Sequence, residues 1–158
     1  MNPFQPKGKN FEIAYSKYAD MLYRLAFSYM KQQEDAEDIV QEVFVKYFCG
    51  LHLPMSKEQE KAWFIRVTIN QCHDALRKRS YRRYDALEAV KEVVGTEDTP
   101  DELFDVLEKL PEKYKDVIIL HYLEEYSVEE ISKMLGLSLS AVKMRLKRGR
   151  EFLKEELK

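Results

Sequence analysis

The chain is poor in residues that interrupt a helix. It has only five glycines, and no segment alternates apolar and polar residues over any length, so a sheet is excluded and every element reads as helix. No apolar run approaches the roughly 20 residues that span a bilayer. The N-terminal Met-Asn-Pro-Phe-Gln-Pro-Lys lacks a signal peptide's apolar stretch. The expectation is a cytoplasmic protein without membrane insertion. Two cysteines, Cys49 and Cys72, are too few for a disulfide framework. With His52 and His73 they supply four soft side chains, but neither pair has a finger spacing. Cys72 as core and Cys49 as a helix end is the simpler reading, and no metal or cofactor is expected.

What the chain does have is charge, 34% of its residues, segregated along its length. The net charge of −2 argues against a general nucleic-acid coat protein. Residues 77–83, Arg-Lys-Arg-Ser-Tyr-Arg-Arg, carry five positive charges, residues 85–112 carry ten acids against two lysines, and residues 143–150 are basic again. Two basic patches separated by an acidic bridge suggest two DNA contacts made by one chain. The fold expected is all-α: two small helical domains, residues 1–80 and 101–158, joined by an acidic linker, 81–100.

Periodicity places the elements. Phe11, Ala14, Tyr15, Tyr18, Leu22, Leu25, Ala26 and Tyr29 form one stripe on a helix over about 10–30. Helices follow at about 35–48 and 61–80, with a Pro54-containing break between them. Residues 86–94 suggest a short amphipathic helix inside the linker. Thr99-Pro100-Asp101-Glu102 starts another helix, and Pro111 restarts one over about 111–124.

Residues 127–148 carry the sharpest signal. Ser127 with Glu130 forms a capping box, and Ile131, Met134 and Leu135 give a buried side. Gly136 suits a left-handed exit, and Ser138 caps the next helix. That last helix turns Val142, Leu146, Gly149 and Leu153 inward. It presents Ser140, Lys143, Met144 and Lys147 toward base edges, with Arg145, Arg148 and Arg150 placed for phosphate. This is a helix-turn-helix able to enter a major groove.

Two other helices have second faces. Opposite the core side of 35–48 lie Asp38, Gln41, Glu42 and Val45. The patch reads as a solvated face, as a carboxylate pair without the third ligand a metal or acid–base site needs, or as a docking surface for a basic partner. On 61–80, Arg66, Asn70, His73 and Arg77 follow helical spacing with Asp74 beside them. An ordinary charged surface and a nucleic-acid face are both compatible with it. Trp63, Tyr81 and Tyr84 could stack on unpaired bases, although Trp63 begins the helix's buried side.

In order, Asp-Ala-Glu-Asp-Ile-Val-Gln-Glu-Val-Phe (35–44), Ala-Trp-Phe-Ile-Arg-Val-Thr-Ile-Asn-Gln-Cys-His-Asp-Ala-Leu-Arg-Lys-Arg (62–79), Leu-Glu-Lys-Leu-Pro-Glu-Lys-Tyr-Lys-Asp-Val (107–117) and the helix-turn-helix resemble a bacterial RNA polymerase sigma factor of the extracytoplasmic-function group. The resemblance covers about residues 11–156. It implies that residues 1–80 are region 2 and 101–158 region 4. Asp38, Gln41, Glu42 and Val45 would bind the clamp helices of the polymerase's largest subunit, and the polymerase flap would be a further contact. Arg66, Asn70, His73, Asp74, Arg77 and Lys78 would hold the −10 promoter element, and the 50–60 loop would capture a base flipped from the melted strand. Ser138, Ser140, Lys143, Met144, Arg145, Lys147 and Arg148 would read the −35 element. The acidic linker would lie along the polymerase's RNA path. An anti-sigma protein, which the family often uses, would cover the same acidic and basic faces. The family often has Gly-Thr-Val-Lys-Ser-Arg-Leu where this chain has Ser140-Ala141-Val142-Lys143-Met144-Arg145-Leu146, a departure that bears on the −35 sequence rather than the fold. The function implied is promoter recognition as a polymerase subunit without catalysis; a stand-alone helix-turn-helix regulator is the alternative.

Overall fold

The computed structural model describes residues 7–50, 56–90 and 102–157, with side chains described over 12–50, 56–79 and 105–157. Every regular element in them is helical. The helices are α1 (Lys7–Met30), α2 (Gln33–Cys49), α3 (Lys57–Val90), α4 (Glu102–Lys109), α5 (Glu112–Ile118), a π-helical turn (Ile119–Leu123), α6 (Val128–Leu135) and α7 (Leu139–Glu156). The chain divides into two compact units, Met1–Cys72 with Ser132–Leu137, and His73–Ile131 with Ser138–Lys158.

In the first unit α1 turns into α2 over two residues. Lys31 takes a left-handed φ of 61° and donates its N–H to Phe27 O at 2.8 Å. The turn lays α1 along α2. The buried residues of α1 (Ala14, Tyr18, Leu22, Leu25, Ala26, Tyr29), of α2 (Ala36, Ile39, Val40, Val43, Phe44) and of α3 (Phe64, Ile65, Thr68, Ile69, Cys72) form the core. Phe64 centres it, with its ring centroid 4.7 Å from Tyr18, 5.3 Å from Phe44 and 5.0 Å from Tyr47. Each such aromatic pair adds about 0.5–1.5 kcal/mol beyond the area it buries. Tyr15, expected in the buried stripe, is 48% exposed; its ring leans on Phe44 at 5.0 Å from the edge of the core. Cys72 is buried and Cys49 is an exposed helix end.

α3 is longer at both ends than its apolar pattern implied. It starts at Lys57 because Ser56 and Gln59 form a reciprocal capping box: the Ser56 N–H donates to Gln59 Oε1 at 3.0 Å, and the Gln59 N–H to Ser56 Oγ at 3.2 Å. It continues to Val90. Residues 81–90 contain no glycine or proline to end it, so the segment expected to be linker begins as helix. The rest of that linker, and the Thr99-Pro100-Asp101 helix start, lie outside the described residues.

The second unit buries Val106, Leu107, Leu110, Val117, Ile118, Ile119, Leu120, Ile131, Val142 and Leu146. Gly149 lets α7 approach α5. A Cβ built there would stand 2.7 Å from Ile118 Cγ1 and 3.0 Å from its Cδ1. The expected helix over 111–124 is not α-helical throughout. After Ile118 it widens into the π turn, closed by Glu124 N–H to Ile119 O at 3.0 Å and Tyr126 N–H to Leu120 O at 2.9 Å. Glu125 has a φ of 60°, and His121 Nδ1 lies 2.8 Å from Tyr126 O.

Candidate nucleic-acid interface

The helix-turn-helix is assembled by the polar residues its sequence placed there. Ser127 Oγ accepts the Glu130 N–H at 3.1 Å, and Glu130 Oε1 accepts the Ser127 N–H at 3.1 Å. Gly136 leaves α6 with φ 65°, where an L side chain is strained. The Leu137 N–H returns to Ser132 O at 3.0 Å, and the Ser132 hydroxyl donates to Leu137 O. Ser138 Oγ then accepts the Ala141 N–H at 3.1 Å and opens α7. Ser138 is therefore engaged as a cap.

On α7, Val142, Leu146 and Gly149 are buried and Leu153 half-buried, while Ser140, Lys143, Met144, Lys147 and Arg148 are exposed. Arg145 is half-buried. Two cations of this helix are held by tyrosines. Arg150 Nη1 donates to Tyr122 Oη at 3.1 Å. Arg148 hydrogen-bonds Tyr114, and that bond, with the nearby charges of Lys113 and Arg148, holds the Tyr114 phenol below its ordinary value. Each tyrosine thereby restricts where its guanidinium can go.

The α3 stripe divides. Arg66, Asn70 and Lys78 are exposed. His73 and Arg77 instead meet carboxylates of α5. His73 Nε2 lies 2.8 Å from Asp116 Oδ1, and Nδ1 lies 3.6 Å from Glu112 Oε2. Arg77 Nη2 donates to both Glu112 oxygens at 3.0 and 2.9 Å, and Nη1 reaches Asp74 Oδ1 at 3.3 Å. The Arg77 and Glu112 side chains are 59% and 46% exposed, so solvent screens the pair to about 0.2–1 kcal/mol. Trp63 is half-buried, 6.0 Å from Tyr47 and 5.1 Å from Phe64. Burial, followed by the charge of Glu60, raises the Tyr47 phenol above its ordinary value. The side chains of Tyr81 and Tyr84 lie outside the described residues, as does the 51–55 loop.

On α2, Asp38 and Gln41 are exposed and Val45 is 59% exposed. Glu42 is exposed too, but it is tied back to α3. Its Oε2 accepts from Gln71 Nε2, and Gln71 Oε1 accepts from Lys46 Nζ at 2.8 Å. Gln71, 8% exposed, orients a carboxylate that sequence alone left untethered. Its signal was a long amide at a position whose helical neighbours Thr68 and Cys72 are buried. Two hollows also escaped the sequence. One, about 270 Å³, runs beside this patch between Tyr15, Ala19, Asp20 and Tyr23 of α1 and Glu37, Val40 and Gln41 of α2. The other, about 320 Å³ and almost wholly apolar, is framed by Leu107, Ile118, Tyr122, Leu123, Arg150 and Leu153. Among the described residues no three His, Cys, Asp or Glu side chains gather as metal ligands, and no helix is long and apolar enough to cross a membrane.

Comparison with known proteins agrees with this arrangement. The family description "Sigma-70 region 2" matches residues 14–82, and "Sigma-70, region 4" matches residues 101–153. The RNA polymerase sigma factor SigV of Bacillus subtilis (strain 168) is 36% identical over 138 residues, covering 85% of this chain and 83% of that protein. The ECF RNA polymerase sigma factor SigW of the same organism is 29% identical over 159 residues, covering 89% of this chain and 85% of its own length. The structure of CnrH in complex with the cytosolic domain of CnrY has a TM-score of 0.65 at 26% identity, covering 95% of this chain and 88% of that one. The chain belongs to the extracytoplasmic-function group of sigma-70 RNA polymerase sigma factors, the proteins that direct the polymerase to specific promoters.

Proposed function

We propose that three surfaces divide this work. The exposed face of α2, Asp38, Gln41, Glu42 and Val45, docks on the clamp helices of the polymerase's largest subunit. Arg66, Asn70, His73, Asp74, Arg77 and Lys78 on α3 hold the −10 element, and Ser138, Ser140, Lys143, Met144, Arg145, Lys147 and Arg148 read or flank the −35 element. Residues 1–80 act as region 2, 81–100 as linker and 101–158 as region 4, with the apolar hollow at Tyr122 and Leu123 receiving the polymerase flap. One observation supports the reading above others: an acidic and apolar patch on α2 accompanies a capped, cationic α7. A DNA-binding protein working alone has no use for the first.

The protein acts in the cytoplasm and catalyses no reaction of its own; the polymerase supplies the chemistry. An anti-sigma protein would act by covering the α2 and α7 faces. The structure of CnrH was solved with the cytosolic domain of CnrY bound, which supports capture of such a fold by a second protein. In vitro transcription with core polymerase tests the reading. Promoter-specific starts are expected from the wild-type chain, and replacing Asp38 and Gln41 with alanine should weaken core binding while leaving duplex −35 binding intact. Specific starts without core binding, or core binding indifferent to the substitutions, would refute the docking assignment.

A further inference from the structure

One residue of α7 does not belong to a face made of charge. Met144 is 49% exposed. At 100° per residue it stands about 170° around the helix from the mean direction of the buried Val142, Leu146 and Gly149, so it points away from the core. Leu139, 43% exposed, is also apolar, but it lies only about 50° from that direction and forms the edge of the buried face. Ser140, Lys147 and Arg148 surround Met144 one turn away, and all three are exposed. Met144 is the sixth residue of α7, within the N-terminal part that a recognition helix lays against base edges. Ser138, just ahead of the helix, uses its hydroxyl on the Ala141 N–H and is already occupied.

We infer that Met144 reads the C5 methyl group of one thymine in the −35 element and thereby fixes that base. The inference rests on the −35 assignment above and adds the base that this side chain selects. A thioether has no hydrogen to donate and is a weak acceptor, so it gains little from the donors and acceptors on base edges. The apolar group those edges show in the major groove is the thymine methyl. Methionine is unbranched and polarizable, and it moulds itself around such a group. A serine at this position would hydrogen-bond more than one base; methionine gives up that tolerance for a methyl preference. The surroundings favour DNA over a protein partner. One apolar side chain ringed by a serine and two cations is not the contiguous apolar patch that docks a protein. The same ring suits a groove, whose phosphate rows meet the cations while the methyl lies in the floor between them.

The test uses holoenzyme reconstituted with core polymerase and a promoter that it selects from random DNA. Each thymine of the −35 element is replaced in turn by deoxyuridine, which keeps base pairing and removes only the methyl. For the wild type, one replacement is expected to weaken binding about four-fold, the value of one buried methyl group. That ratio should hold at every salt concentration, because no charge changes. Met144→Ser and Met144→Ala should bind the thymine and deoxyuridine templates equally at that position, and Met144→Leu should keep the preference. Melting of each variant at the wild-type Tm shows that the fold is unchanged. Wild-type indifference to every deoxyuridine overturns the inference, as does a preference that survives Met144→Ser. Loss of core binding by Met144→Ser also overturns it and assigns the side chain to a protein contact. A fully scrambled −35 element that binds as well as the selected one sinks the −35 assignment itself, whereas a scrambled element that fails while deoxyuridine is ignored sinks only the reading of Met144.

Discussion

Gly149 is the position where one added methyl group decides most. In a helix interior alanine is favoured over glycine by about 0.8–1 kcal/mol, so Gly149→Ala would stabilise α7 if helix propensity were all that mattered. The site forbids it. The new Cβ would stand 2.7 Å from Ile118 Cγ1, against the roughly 3.5–4.0 Å of an ordinary carbon contact. Ile118 is only 3% exposed, so it cannot swing into solvent. Overpacking a close-fitted site costs about 1–3 kcal/mol. The two effects leave a net loss of about 1 kcal/mol, or a fall in Tm of about 4–8 °C for a unit of this size. Circular dichroism melting of the full chain measures it. A −35 duplex titration should show weaker binding as well, because α7 is the helix proposed to carry the contacts. Ile118→Ala removes the offending atoms, so the double variant should be more stable than the sum of the single losses by about 0.5–3 kcal/mol. A higher Tm for Gly149→Ala, or strict additivity with Ile118→Ala, would refute the account of why glycine stands there.

Three further outcomes are expected. Thr68→Val should raise stability by about 1 kcal/mol in chemical denaturation, because the buried Thr68 hydroxyl finds no hydrogen-bond partner among the described residues; a loss would show that the hydroxyl is satisfied. Lys143→Ala and Lys147→Ala should each reduce the salt slope of −35 duplex binding by about 0.9 if they neutralise one phosphate each, whereas an unchanged slope with weaker binding indicates base contact. In an alkaline titration followed by tyrosinate absorbance, Tyr114→Phe should remove an early-ionising group and Tyr47→Phe a late one. Arg148 favours the Tyr114 anion and burial disfavours that of Tyr47. By linkage, the fold is stabilised by Tyr114 above its ordinary value of 10.0 and loses the contribution of Tyr47 as pH rises through that range. The reverse order of ionisation would contradict both assignments.

The helix-turn-helix was legible because its determinants are local. Ser127 and Glu130, Gly136, and Ser138 act on backbone groups within a few residues of themselves, and the structure joins them as their spacing implies. The start of α3 was equally local, yet Pro54 drew the boundary toward a loop and hid the Ser56–Gln59 box. With that box went Lys57 as a helical residue. The carboxylates facing His73 and Arg77 were not legible: Asp116 and Glu112 lie 43 and 35 residues away, and nothing in the spacing of an α3 stripe announces them. Gln71 is intermediate. A buried amide must have partners, but only packing names Glu42 and Lys46. Tyr15 shows the limit of periodicity, which gives a side of a helix but not how far the neighbouring helix extends to cover it.

The π turn at Ile119–Leu123 amounts to one residue more than an α-helical path would need. Its i+5 ladder swings Tyr122 and Leu123 outward, and both remain substantially exposed. Deleting a single residue there would close the turn to an α-helical one and reposition the side chains within it, carrying the aromatic and the leucine off the rim they now share with Leu153 while the flanking segments keep their register. Surplus length in the backbone, rather than any unusual side chain, is what sets an aromatic and a leucine at the edge of this apolar hollow, and a chain shortened by one residue would keep its fold while losing that edge.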